Sequence, residues 1–366
     1  MDDTQDYKRH EALYFSDGNI ALVAQWKDQE YGHVVFRVHK SILARSSSVF
    51  DDIFSLPAGE AMELYDGVPL VRMPDSGEDL ESLLQYLYCN PPLLLEPYDP
   101  DTSFKARPLL RMADKFQVDT LRELIVAQLV SDWPVAIRQW DKLESEIQAR
   151  EKAGDSDIFY DVDDPNIDDQ YPEPASAIRL ARDFDIPEIL EPAFYHLSRI
   201  NIEHDWDASR GVDLHGKPTR VSNHFRRTAR WDLLEKEDYV SVLRGRYRLK
   251  DAAVKALSFS RVGSRSEAEK EGYPCSPKCD VEKFSGFWRD LHDDLAASND
   301  MLGILRLYVE ETLGAYDGLI CIYCYLHAAT HIRRCRMTLW KNLGKYFELP
   351  AQGEPASGDS SSDEES

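Results

Sequence analysis

The sequence lacks a long hydrophobic run. No stretch reaches the roughly 18 consecutive apolar residues that suggest a membrane-spanning helix. The first ten residues, MDDTQDYKRH, are acidic and contain no apolar leader segment. The sequence therefore predicts neither a transmembrane protein nor a secreted one, and it argues against a membrane as partner. We expect the protein in the cytoplasm, the nucleus or both.

Cysteine is scarce, with six residues in a chain of 366. Because no secretory segment is predicted, these residues are expected to be reduced thiols or metal ligands rather than members of a disulfide framework. They occur at positions 89, 275, 279, 321, 324 and 335.

Positively charged residues are also few, since the chain has 43 Lys and Arg residues but 66 Asp and Glu residues, and its net charge is −23. A field of that sign repels phosphate backbones, which disfavours nucleic acid as a partner. Two basic runs with interleaved aromatic residues, HFRRTAR at 224–230 and RGRYRLK at 244–250, keep that alternative open. The simpler interpretation is that these arginines pair with the chain's own acidic segments.

Motifs of the common enzyme classes are missing as well. The chain has no glycine-rich phosphate loop, no dinucleotide fingerprint, no His-Glu-x-x-His helix and no Gly-x-Ser-x-Gly elbow. His39 and Ser41 could form a base and nucleophile, but the sequence places no carboxylate to orient the imidazole. We predict instead that His39 ends a strand and bonds a backbone carbonyl, and that Ser41 caps the next helix. No catalytic residue is predicted.

Residues 15–130 have the pattern of an α+β unit, after an N-terminal tail assigned to residues 1–14. β-Branched runs at 20–24 and 34–38 predict a hairpin, and a third run at 70–73 predicts another strand. Apolar residues at helical spacing predict a helix pair after the hairpin, with Ser47 or Ser48 capping its second member. A further helix follows the third strand. The expected fold is a small mixed sheet capped by helices.

The remainder of the chain predicts a mainly α-helical C-terminal region at 175–349. LLRMADKFQVDTL (109–121) and AIRLARDFDIPEIL (177–190) share an apolar–Arg–apolar–Ala–x–x–Phe–x–apolar pattern, which we interpret as a repeated helix-turn-helix. Residues 150–174 are assigned to an acidic linker, because 151–174 hold nine acidic residues, one basic residue and three prolines. The low-complexity residues 350–366 are predicted to be a disordered acidic tail.

Four of the cysteines have spacings that a zinc ion can use. Cys275 and Cys279 form a Cys-x3-Cys pair and Cys321 and Cys324 a Cys-x2-Cys pair, which together would supply four tetrahedral ligands. Cys335 is too far from Cys321, since fourteen helical residues span about 21 Å. Buried core thiols and a redox pair remain open alternatives to this structural zinc. No other cofactor is predicted.

The segment FRVHKSILARSSSVF at 36–50 resembles the central signature of BTB/POZ domains. The family writes it as apolar–x–apolar–His–x–x–apolar–Leu–Ala–x–x–Ser–x–apolar–Phe. The turn before it and the strand and helix after it continue the family pattern in order, over about residues 15–130. The signature positions in this chain are Asp17, His39, Ser41, Leu43 and Phe50. The C-terminal region resembles the helical extensions of fungal BTB-domain proteins, including Trp340, Leu343, Tyr346, Phe347, Leu349 and Pro350.

The resemblance implies a non-enzymatic protein-interaction module that acts as a scaffold or adaptor and can form a homodimer. One alternative it implies is a substrate adaptor of a cullin-type ubiquitin ligase, for which Met73-Pro74-Asp75 has the spacing of an apolar–x–acid motif. A second alternative, from another class, is a zinc-stabilised nucleic-acid-binding transcriptional regulator. The expected interaction surface comprises Val49, Phe50, Ile53, Phe54, Met73 and Asp75.

Overall fold

The computed structural model describes residues 7–26, 32–56, 63–89, 95–155, 167–210, 227–257, 276, 279–316 and 320–350. The chain divides into two compact units, Met1–Asp132 and Trp133–Ser366. Among the described residues, no helix has both the length and the hydropathy needed to cross a bilayer.

The first unit is built on a mixed sheet. Within the described residues its strands are β1 (Lys8–Tyr14), β2 (Ile20–Gln25), β3 (His33–Val38), β4 (Leu64–Tyr65) and β5 (Val68–Ser76), in the order β1-β3-β2-β5-β4. β2 and β3 are antiparallel, as the predicted hairpin requires, and β5 runs parallel to β2. Residues 20–24 of β2 are all buried, so this central strand reads as a continuous apolar run rather than an alternating one.

The predicted N-terminal tail is wrong for residues 8–14, which form β1 along the edge of the sheet and pair in parallel with β3. Sequence periodicity could not find this strand, because only Leu13 of its side chains is buried. His10 organises a bulge in it. The Nδ1 atom of His10 accepts hydrogen bonds from the amides of Ala12 and Leu13 at 3.2 and 3.0 Å, so Nε2 donates to Glu81 at 3.0 Å.

Helices complete the first unit. They are α1 (Lys40–Ser46), α2 (Ser48–Ser55), α3 (Gly77–Cys89), α4 (Thr102–Lys115) and α5 (Asp119–Asp132). The hydroxyl of Ser47 caps α2 by accepting from the Phe50 amide at 3.1 Å, as predicted. The predicted cap at Ser41 is wrong. His39 occupies the N-cap position of α1 without a side-chain capping bond, and Ser41 lies inside the helix.

The second unit is mainly helical, as predicted. Its described α-helices are α6 (Ile137–Asp155), α7 (Pro174–Asp183), α8 (Leu190–Arg199), α9 (Lys236–Ala256), α10 (Val281–Ala297), α11 (Met301–Leu307), α12 (Ile322–Lys341) and α13 (Leu343–Phe347). Large buried aromatic side chains fill its core, among them Trp140, Tyr195 and Trp288. At Gly245, an added Cβ would lie 1.9 Å from the Phe347 ring, so only glycine lets α13 approach α9 this closely.

The repeated sequence pattern corresponds to a repeated structure. Each copy has a phenylalanine at the C-cap of its first helix and then one residue in the left-handed conformation, Gln117 with φ 49° and Asp185 with φ 50°. The next amide in each copy, from Val118 or Ile186, returns to a carbonyl of the preceding helix at 2.9 Å. The helix-turn-helix repeat is therefore confirmed down to its turn.

The acidic linker predicted at 150–174 is wrong at both ends. Helix α6 continues to Asp155, and Glu173 is buried at the N-cap of α7. The carboxylate of Glu173 accepts from the amides of Ala175 and Ser176 at 2.9 and 2.7 Å, which explains how a residue of an acidic run can be buried. Residues 156–166 and the predicted tail at 351–366 lie outside the described residues.

Candidate functional site

The junction between β3 and α1 carries His39, the central residue of the signature segment. Its Nδ1 atom lies 3.0 Å from the hydroxyl of Tyr88 in α3, and its Nε2 atom lies 3.4 Å from Asp17. The backbone amide of His39 also donates to the Tyr88 hydroxyl, at 2.6 Å. The ring of Phe15 stacks on Tyr88 with centroids 4.8 Å apart. This cluster ties the start of α1 to the preceding turn and to α3.

Two sequence predictions about His39 need correction. Its ring bonds a tyrosine hydroxyl rather than a backbone carbonyl, and the fold brings Asp17 next to it, although no carboxylate was expected there. Burial raises the pKa of Tyr88, an effect that Asp17 reinforces and the His39 amide opposes. Tyr88 therefore stays protonated near neutral pH. No hydrogen bond joins His39 to Ser41 in the described part of the chain, so the pair lacks the contact that a base and nucleophile need.

The face of α2 divides between core and surface. Phe50 was expected in the interaction surface, but it is only 1% exposed and stacks face to face on Phe116 at 4.5 Å. The apolar residues that reach solvent are Ile53, 37% exposed, and Leu56, 70% exposed, with Phe54 half-buried beside them. We call these three residues the α2 patch. The sequence analysis missed Leu56 because this residue follows the last residue of the helix. Val49, which was expected in the interaction surface, is half-buried.

The two remaining residues of the expected interaction surface, Met73 and Asp75, differ in solvent exposure. Met73 is half-buried. The side chain of Asp75 is only 9% exposed and accepts a hydrogen bond from Lys115 at 2.6 Å. Its carboxylate is therefore already engaged within the first unit, which the sequence spacing could not indicate.

Residues 27–132 match the family model of the BTB/POZ domain. This segment is a BTB/POZ domain. It contains the signature residues His39, Ser41, Leu43 and Phe50, while Asp17 lies before the matched range. BTB/POZ domains are protein-interaction modules and are typically not enzymes. No curated protein matches the chain.

The second unit, which follows the BTB/POZ domain, contains a cluster of three thiols. Cys321 is the N-cap residue of α12, Cys324 lies in the first turn of that helix, and Cys279 precedes α10. Their Sγ atoms all lie within 4.8 Å of one another, and those of Cys279 and Cys324 are 3.6 Å apart. This cluster could hold a metal ion. Cys275, the fourth predicted ligand, lies outside the described residues.

Backbone amides point at the sulfur atoms of this cluster. The amide of Cys321 donates to Cys279 Sγ at 3.3 Å, and that of Ser276 donates to Cys321 Sγ at 3.5 Å. Burial raises the pKa of the Cys321 thiol, but hydrogen bonds from Ser276 and from the neighbouring cysteines outweigh it and lower the pKa to about 7. Cys335 behaves differently, because burial alone raises its pKa to about 12.

A buried ionic network also crosses the second unit. Arg199 forms a two-point contact with Glu144 at 2.7 and 2.8 Å and reaches Asp300 at 3.3 Å, and the Tyr195 hydroxyl donates to Asp300 at 2.5 Å. Burial opposes ionisation of Glu144, but Arg199 outweighs it and lowers the Glu144 pKa to about 2. The sequence analysis missed this network because the residues of each hydrogen-bonded pair are 55 to 105 positions apart, so no local spacing links them.

The arginines of the basic run at 244–250 make contacts with other residues of the chain. Arg244 and Arg248 pair with Glu348 at 2.6 and 2.7 Å, and Arg246 donates to the carbonyls of Ser198 and Ile200. These contacts support the simpler interpretation of the run, in which its arginines serve internal packing. Of the other basic run, at 224–230, residues 224–226 lie outside the described residues.

Proposed function

We propose that the protein is a non-enzymatic scaffold or adaptor whose BTB/POZ domain associates through the α2 patch. The observation that carries this proposal is the exposure of Ile53 in α2 and of Leu56 directly after it, while Phe50 of the same helix is buried in the core. Exposed apolar side chains grouped on one face are typical of protein-interaction sites.

A second copy of the chain is the partner we propose for this surface. The α2 patch is flanked by exposed charges of both signs, Arg45 at the end of α1 and Asp51 and Asp52 in α2. In a two-fold contact the same surface meets itself, so Arg45 of one copy can face an aspartate of the other. Such complementarity offsets part of the repulsion expected from a net charge of −23.

Light scattering after size exclusion tests this proposal on the full chain. We expect the wild type at twice the monomer mass of 42.0 kDa. The double variant Ile53→Asp/Leu56→Asp should run as a monomer. Leu124→Asp is the matched control, because Leu124 is 48% exposed and belongs to another helix, α5. This control should remain dimeric.

Two results would count against the proposal. A monomeric wild type at the concentrations used would exclude self-association as the role of this surface. A dimer that survives in the double variant would place the contact elsewhere on the chain.

The cullin-adaptor alternative depends on Met73 and Asp75. Because Lys115 engages the carboxylate of Asp75, a cullin could use this residue only by breaking that ion pair. If the alternative holds, Lys115→Met should strengthen binding to a purified cullin N-terminal domain, and Met73→Glu should abolish it. Calorimetric titration that detects no binding to either the wild type or Lys115→Met would remove this alternative.

A further inference from the structure

The geometry points to Cys279, Cys321 and Cys324 as thiolate ligands of a structural zinc ion in the second unit. The site would join the segment before α10 to the N-terminus of α12. It is independent of the BTB/POZ domain and of the proposed function of that domain.

Sulfur spacing is the first argument. With zinc–sulfur bonds of about 2.3 Å, two thiolates on a tetrahedral zinc ion are about 3.8 Å apart. The Sγ atoms of Cys279 and Cys324 are 3.6 Å apart, and all three sulfurs lie within 4.8 Å of one another. The described cluster therefore has nearly the dimensions of one face of the coordination tetrahedron.

The hydrogen bonds to sulfur are a second, independent argument. The amides of Cys321 and Ser276 donate to Cys279 Sγ and Cys321 Sγ, respectively. Amide donors stabilise a thiolate more than a neutral thiol, because the negative sulfur is the better acceptor. The N-terminus of the 20-residue helix α12 adds positive potential at Cys321 and Cys324. Three negative thiolates would repel one another at these distances, and a divalent cation would remove that repulsion.

The chemistry of the donors selects zinc among the common metals. Thiolates are soft ligands that calcium and magnesium do not favour, whereas zinc binds them in tetrahedral structural sites. A disulfide would need one pair of sulfurs at about 2.05 Å. The Cys279–Cys324 separation is far longer, and a disulfide would leave the third thiol of the cluster unused.

A zinc ion at this site would have a structural role. Cys279 and Cys321 lie on either side of α10 and α11 in the sequence, so a shared metal would close the chain around these two helices. Closing a loop in this way stabilises the folded state relative to the unfolded one.

Metal analysis of the full chain tests the inference. We expect about one zinc ion per chain after purification without chelator, measured by plasma mass spectrometry. Cobalt exchanged into the site should give the intense thiolate-to-metal absorption and the visible bands of a tetrahedral ion. Cys279→Ser, Cys321→Ser and Cys324→Ser should each lose most of the zinc. Cys335→Ser, which alters a buried thiol further along α12, should retain it.

Measurements on the wild type alone can contradict the inference, even if the cysteine variants fail to fold. Titration with a mercurial reagent should release zinc in step with modification of the cluster thiols. Absence of zinc above background, a disulfide within the cluster found by peptide mapping, or equal zinc loss in Cys335→Ser would each contradict it.

Discussion

The carboxyl group of Asp132, at the end of α5, should make the stability of the first unit depend on pH. Its side chain is buried, with Oδ1 accepting from the Tyr98 amide at 3.2 Å and from Gln128 at 3.1 Å. Its Oδ2 atom is buried without a hydrogen-bond partner among the described residues. Burial raises the Asp132 pKa from 3.8 to about 6, although the two hydrogen bonds oppose the shift.

The sign of the effect follows from the raised pKa. The folded state holds this proton more tightly than the unfolded chain, so the stabilisation is present below pH 3.8 and is lost as the pH rises through about 6. A shift of this size is worth about 3 kcal/mol in total, of which about 2 kcal/mol is lost between about pH 4 and pH 7. The free energy of unfolding of the first unit should fall by that amount for this group alone.

The substitution Asp132→Asn removes the titration but keeps an oxygen that can accept both hydrogen bonds. We expect the difference in unfolding free energy between Asp132→Asn and wild type to change by about 2 kcal/mol in favour of the variant from about pH 4 to pH 7. Urea unfolding followed by hydrogen exchange of peptides from α4 and α5 would report on the first unit alone. All other titrating groups are shared by the two proteins, so their contributions cancel.

Glu123→Gln is the matched control, because Glu123 is an exposed carboxylate of the same helix. It should leave the pH dependence unchanged. If Asp132→Asn follows the wild type within about 0.5 kcal/mol at both pH values, the reasoning from burial is refuted.

Three further predictions concern the core, the repeat turn and the buried ionic network. Phe50→Ala should lower the free energy of unfolding by about 3–5 kcal/mol, because it leaves a cavity against Phe116. Gln117→Gly should be more stable than Gln117→Ala by about 1 kcal/mol in urea unfolding, because φ at this position is 49°. Arg199→Met should cost about 3–5 kcal/mol near pH 7, because it leaves the Glu144 carboxylate buried without its partner. The wild-type ion pair stabilises the fold above pH 4.5, and this stabilisation is lost as the pH falls toward about 2. Arg199→Met should therefore lack this loss of stability in acid, which acid titrations followed by circular dichroism would measure.

Each of these predictions has its own control. Ile53→Ala should cost less than about 1 kcal/mol, and an equal loss for Ile53→Ala and Phe50→Ala would contradict the division of α2 into core and surface. Equal stability of the two Gln117 variants would show that the turn relaxes from the left-handed conformation. Adding Glu144→Gln to Arg199→Met should recover most of the lost stability. If no stability is recovered, the loss comes from Asp300, the other ion-pair partner of Arg199, rather than from Glu144.

Local signals made much of the fold predictable. The hairpin of β2 and β3 follows from two β-branched runs, and the cap of α2 follows from Ser47 standing before an apolar stripe. The repeat was visible because each copy carries the same core residues before the same turn. Such features depend on neighbours within a few residues, which sequence patterns report directly.

The incorrect predictions share a physical cause: the sequence pattern does not show which side chains from distant segments pack against a given residue. Strand β1 has one buried side chain and so no alternation to detect. Phe50 and Ile53 belong to the same apolar stripe, and only the position of Phe116 decides that Phe50 is core. In the same way, Asp17 and Asp75 gained partners, His39 and Lys115, that their sequence spacing did not indicate.

By itself, the amino-acid sequence determined the class of the first unit, the helical character of the second and the two closely spaced cysteine pairs. Those properties are set by residue type and short-range spacing. The tertiary structure alone decided which apolar side chains remain exposed on α2, which charges are buried together around Arg199, and that Cys279 meets Cys321 and Cys324. Each of these depends on contacts between segments distant in the chain, and chain folding rather than local preference brings such segments together.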